Sequence, residues 1–159
     1  MSVGGALRTA PAAALLPGFA GTLPFLALAA VLPWVGGGQR AWVELALIGY
    51  GAVILTFVGA LHWGLALAAT MYLSSAPAVV RFGFLWSVVP ALWAWLALLV
   101  PLLPALVMLA AGFVVQFAVD RRIAGELTLP AWYLPLRLSL TSIVMLALLA
   151  AAAAVAAAI

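Results

Sequence analysis

Apolar residues run along this chain in long blocks, and polar positions fall between the blocks instead of alternating within them. Five blocks, at about 17–35, 43–69, 82–100, 103–119 and 134–158, are each long enough to cross a bilayer as a helix. In hydrocarbon every backbone polar group must be bonded within the protein, which leaves helices or a closed barrel. No block shows the polar/apolar alternation of a barrel strand. The pattern predicts an all-α fold, an integral membrane bundle of five transmembrane helices. Residues 1–16, rich in small side chains with Arg8 as their one cation, read as a flexible or interfacial tail. A single five-helix domain over 17–159 follows it.

Punctuation inside the blocks refines this picture. Pro24 lies within the first span and Pro90 within the third, and each is expected to kink its helix. A secretory signal would use Arg8, the apolar run and Ala27-Leu28-Ala29, but Pro17, Gly18, Gly21 and Pro24 interrupt that run. A mitochondrial presequence would rest on a single Arg. Gly36-Gly37-Gly38-Gln39-Arg40 reads as a turn, since no phosphate-loop pattern or strand accompanies it. Met71 to Val80, with Ser74 and Ser75, reads as a short loop, and Pro101 to Pro104 as a tight hairpin. Residues 123–133 read as a polar connection. In the second span Ala52, Thr56, Ala60, Gly64 and Ala68 recur every four residues, a ladder expected to admit a neighbouring helix closely. His62 points to the opposite side, with Gly51 and Val58.

Composition agrees with a membrane solvent: 70% hydrophobic, 6% charged, mean hydropathy +1.38. The formal charge of +3 is too small to suggest nucleic-acid binding. Its distribution matters more. Arg8, Arg81, Arg121, Arg122 and Arg137 fall on the N-terminal side of a five-span topology, and Arg40 alone on the other. That asymmetry predicts a cytoplasmic N-terminus and a C-terminus on the opposite side. Trp34 and Trp42 then belong to one interfacial belt, and Trp86, Trp132 and Tyr133 to the other.

Orientation gives the few polar residues a depth. Glu44 and His62 are 18 residues apart, about 27 Å along a helix. If Glu44 marks the outer boundary, His62 lies near the inner one. Gly112, Gln116 and Asp120 share a face of the fourth span, with Asp120 expected at its end, and Arg137 stands in the first turns of the fifth. His62, Trp63, Gln116, Asp120, Arg121, Trp132, Tyr133 and Arg137 thus converge on one layer, a candidate ligand-binding or structural polar cluster. Each has a plainer reading. Arg121 and Arg122 suit interfacial anchors, Asp120 an exposed ion pair, His62 an interhelical hydrogen-bonder, and Trp132 and Tyr133 belt residues.

Several chemistries are excluded or lack support. There is no Cys, and one His cannot ligate haem from both sides. No metal-binding pattern, catalytic residue set or cofactor site is found, and no Lys is present for a Schiff base. A Ser/His dyad would need Ser139 or Ser142 beside His62. The sequence leans away from an enzyme.

The segments YGAVILTFVGALHWGLAL (50–67) and QFAVDRRIAGELTLPAWYLPLRLSLT (116–141) carry a resemblance. The chain resembles the bacterial members of the transmembrane-protein-69-like family, a domain-of-unknown-function group of small polytopic membrane proteins. Tyr50-Gly51, His62-Trp63-Gly64, Asp120-Arg121-Arg122, Trp132-Tyr133 and Arg137 stand at the matching positions. The resemblance implies a bacterial inner (cytoplasmic) membrane protein, with a mitochondrial setting for eukaryotic relatives, and no activity. The favoured expectation is a non-enzymatic protein that binds a lipid headgroup, a small amphiphile or a larger membrane complex at the cluster. The alternatives are a quinone-site or oxidoreductase accessory protein, and a proton or ion conduit through His62, Asp120 and Glu126. The expected partners are the lipid bilayer and another membrane protein, with no nucleic acid.

Overall fold

The computed structural model describes residues 3–72 and 77–157, and all regular elements among them are helical. In chain order they are α1 (Val3–Leu7), α2 (Ala12–Ala20), α3 (Leu23–Val31) with a 3-10 turn at Leu32–Trp34, α4 (Gly37–Tyr72), α5 (Pro77–Trp86), α6 (Val89–Ala97), α7 (Leu102–Glu126) and α8 (Tyr133–Ala156). Five segments are long and apolar enough to cross a membrane: Ala12–Trp34, Gly37–Met71, Pro77–Ala97, Leu102–Glu126 and Tyr133–Ala156. This is a multi-pass helical membrane protein in a lipid environment.

α3, α4, α7 and α8 close a ring in which each packs on the next, with α7 against α8 the most extensive interface. α5 and α6 lie outside it, against α4 and α7. The ring interior holds Phe25, Leu32, Leu47, Leu55, Leu106, Leu109, Phe113 and Leu148. Trp34 and Trp42, by contrast, project outward near the α3–α4 turn, where Gly37 takes a φ of +53°.

Each mid-span proline divides its span into two helices, with the junction residues Gly21, Thr22 and Val88 still in the right-handed helical region. Pro24 and Pro90 occupy the first turns of α3 and α6, where a missing N–H costs no helical bond. The carbonyls left over upstream find other donors: Tyr50 Oη donates to Gly21 O at 2.9 Å, and Ser87 Oγ to Phe84 O at 2.7 Å. That is how a broken helix survives in lipid.

Four sequence expectations change. The stretch read as a flexible or interfacial tail contains α1 and the start of α2, and α1 contacts α8. The glycine-rich turn is shorter than expected, since α4 already begins at Gly37. The fourth span does not end at Asp120 but continues to Glu126, helped by the helix formers there and an Arg122–Glu126 pair one turn apart at 3.8 Å. Asp120 is therefore a mid-helix residue. Finally, the small-residue ladder points mostly outward: Thr56, Ala60 and Gly64 are exposed, and a Cβ on Gly64 would meet nothing. The close approaches are on another face. A Cβ on Gly59 would stand 2.7 Å from Pro90, and one on Gly51 2.9 Å from Leu109. Ser74, Ser75 and the last two residues lie outside the described residues.

Candidate functional site

Three ring helices bring polar side chains to one buried point. α4 supplies His62, α7 supplies Gln116 and Asp120 one turn apart, and α8 supplies Arg137. They are respectively 1%, 0%, 1% and 8% exposed, so their charges and amides depend on one another rather than on water. α5 adds Trp86 from outside the ring. Its access is close because Gly83, one turn earlier, lies against α4, where a Cβ would be 3.0 Å from Ala66.

The bonds have a fixed direction. An indole N–H can only donate, so Trp86 Nε1 at 3.0 Å makes the facing atom of Gln116 its carbonyl Oε1. The amide nitrogen then points the other way, donating to Asp120 Oδ1 at 3.1 Å and standing 3.2 Å from His62 Nδ1. Facing an N–H donor, Nδ1 acts as the acceptor, which assigns the neutral Nε2–H tautomer to His62. Nε2 lies 3.5 Å from the same Asp120 oxygen. Arg137 Nε donates to the other, Oδ2, at 2.6 Å. Gln116 and Arg137 thus donate to the two oxygens of Asp120, while His62 Nε2 stays near the carboxylate without a hydrogen bond.

Of the expected cluster, His62, Gln116, Asp120 and Arg137 come together by direct contact. Tyr133 joins them at the edge, its hydroxyl buried beside Asp120 without a hydrogen bond of proper geometry. Trp63, Arg121 and Trp132 do not join. Trp63 is 53% exposed and packs edge-on to Phe84, Arg121 is exposed, and Trp132 only flanks Tyr133. Arg122 sits over the Phe82 ring and pairs with Glu126, so Glu126 is held away as well. Ser139 bonds its own Pro135 carbonyl and Ser142 is exposed, which removes the Ser/His dyad. Among the described residues, no group of three or more potential ligands could hold a metal.

Two residues that sequence reasoning did not assign to the site belong to its surroundings. Trp86 had an interfacial explanation already, and nothing in its position reveals the bond to Gln116. Thr141 is the second. Thr22, Ser87 and Ser139 each turn the hydroxyl back to a carbonyl of their own chain one turn earlier. Thr141 Oγ1, in a residue 7% exposed, has no partner, and neither has Arg137 Nη2. Spacing was the available signal: 137 and 141 lie one turn apart on α8.

Both residues line a cleft of about 100 Å³ between the α2–α3 junction, α4, α7 and α8. Its walls are otherwise mainly apolar, including Ile54, Val58, Phe113 and Val144, and exposed Pro17 and Phe57 lie at its rim. A roomier groove of about 210 Å³ beside Trp86 and Trp93 offers no comparable polar group. Its two indole N–H groups are already bonded, to Gln116 and to the Met108 carbonyl.

Comparison with known proteins places this geometry in a family. A family profile described as "Protein of unknown function (DUF3429)" matches residues 10–153. Transmembrane protein 69 of Xenopus tropicalis is 36% identical over 146 residues, covering 90% of this chain and 54% of that protein. The chain thus spans about half the length of this curated relative. No solved structure matches.

Proposed function

The chain belongs to the DUF3429 family, to which no function is attached, and from that premise we propose that it binds a membrane amphiphile in the cleft beside Arg137 and Thr141. One observation carries this reading. Arg137 and Thr141 both line the same otherwise apolar space, and each carries a buried donor, Nη2 and Oγ1, that lacks a protein partner. An unmet buried polar group costs about 1–3 kcal/mol, which a ligand head in the cleft would relieve. Apolar walls and an exposed rim suit a tail that continues into the bilayer.

The network itself serves as the support for this site, holding Arg137 through Asp120. It is poorly suited to carry protons. A relay needs members that both accept and release a proton. The chain from Trp86 through Gln116 contains an indole and an amide, and Arg137 stays protonated in proteins. Glu126 pairs with Arg122 instead of extending it. The reading is accordingly non-enzymatic and non-conducting, in the cytoplasmic membrane of a bacterium, with the N-terminus cytoplasmic as the arginine asymmetry argues. Docking to a larger membrane complex has no comparable feature in its favour.

Native mass spectrometry of the full chain released from membranes tests the binding. The expected result is a co-purifying lipid-sized adduct, reduced in Thr141→Val at unchanged thermal stability. Equal adduct in both proteins would place the ligand elsewhere. For orientation, a C-terminal alkaline phosphatase fusion should be active and a C-terminal green fluorescent fusion dark; the reverse pattern would overturn it.

A further inference from the structure

The charge balance around the cleft narrows the chemistry of its occupant. Arg137 is the sole charged residue among the described residues lining the cleft. Its charge is already countered by Asp120 at 2.6 Å, and Asp120 accepts at both oxygens, as an ionised carboxyl does. The buried pair is therefore formally neutral. His62, as the neutral tautomer, adds nothing to the count. Arg121 and Arg122 are exposed, and neither lines the cleft.

Resting on the binding reading above, we propose that the head recognised here is an uncharged carbonyl acceptor: the ester or amide of a neutral acyl lipid, or the carbonyl of a quinone. An acid would bring a second negative charge to one cation, in a place that is mostly shielded from water. Removing that extra charge from solvent costs more than the shared guanidinium returns. A carbonyl oxygen has two lone pairs, and the residues lining the cleft carry two kinds of unbonded donor for it: a guanidinium N–H and a hydroxyl O–H, one turn apart on α8. Each can donate without changing the charge of the site. The apolar walls then meet the hydrocarbon or ring body.

The test compares three probes against the full-length protein in uncharged detergent: a monoacylglycerol ester of oleic acid, oleate itself, and a short-chain ubiquinone. Work at about pH 9, well above the carboxyl range, keeps oleate ionised. The expected result is that the ester or the quinone binds on the order of ten-fold more tightly than oleate, and that Thr141→Val weakens it roughly five- to ten-fold. Whichever of the two neutral probes binds tighter identifies the source of the carbonyl. Asp120→Asn leaves the guanidinium uncountered and should invert the order in favour of oleate. If that variant does not fold, the ranking in the unaltered protein still decides. Oleate binding at least as tightly as both neutral probes, with sensitivity to Thr141→Val, would overturn the charge argument and leave the cleft standing. Binding of all three that ignores Thr141→Val would overturn the cleft, and this inference with it.

Discussion

The interior of this bundle has two unlike parts. Around Leu47, Leu55, Leu106, Leu109 and Leu148 it is close-packed hydrocarbon, and around Asp120 it is a set of directed hydrogen bonds. In water the first part would dominate the energetics. In a bilayer it is weaker, because lipid tails are as apolar as leucine and only packing shape favours one helix neighbour over another. The bonded part has no such competitor: a buried charge or amide facing lipid has nothing to pair with. The leucine layer supplies most of the contact, and the Asp120 layer supplies much of the specificity for which helices adjoin and in what rotation.

That contrast can be broken most severely at the ion pair. Asp120→Asn or Arg137→Gln each leave one buried charge uncompensated, with an expected loss of about 3–5 kcal/mol. The double change should cost less than the sum of the two. Unfolding titrations in mixed detergent micelles measure all three, and additive losses would mean that the two residues act separately. Next in size is shape. Gly59→Leu should lose about 1–3 kcal/mol, because even its first carbon would stand 2.7 Å from Pro90. Gly64→Leu, on the lipid-facing side of the same helix, should melt like the parent. Equal melting of both would show that packing on α4 is slack.

Smaller effects sharpen the directional part. Trp86→Phe keeps a smaller aromatic ring but removes the one donor that orients Gln116, with an expected loss of about 1–2 kcal/mol. Gln116 should then sample both amide orientations, visible as broadened or doubled side-chain amide resonances; one sharp set would mean that Asp120 and His62 suffice. The smallest is Tyr50→Phe, which strips the Gly21 carbonyl of its donor at the break before α3, at about 1 kcal/mol. Faster amide exchange confined to residues near Pro24 is the expected sign.

Much of this architecture is legible in the sequence, because span length and the need to satisfy backbone groups leave few choices. The convergence of His62, Gln116, Asp120 and Arg137 is legible as well, from depth along helices alone. The rest depends on rotation and on partners across space. Asp120 looks like a helix end because charges follow it, yet the helix formers beyond carry α7 another six residues to Glu126. The ladder through Ala60 and Gly64 has the right period, but small residues also lie on the Gly51–Gly59 face. Only Pro90 and Leu109, distant in sequence, decide which face is filled. Thr141 is one hydroxyl among several, and what sets it apart is a bond it does not make.

The length of α4 has a mechanical consequence. Its 36 residues extend about 54 Å, against a hydrocarbon thickness of about 30 Å. Even at a lean of about 40°, the upper end of the usual range, some 15 Å of it must stand outside the oil. The early Arg40–Glu44 pair, at 2.8 Å and partly exposed, suits such an overhang. Close packing of Gly51 on Leu109 and Gly59 on Pro90 keeps α4 in register with its neighbours, so a thinner or thicker membrane is met by wetting more or less of the overhang. The hydrocarbon boundary can therefore shift along the spare turns of α4 while the layer around Asp120 stays intact.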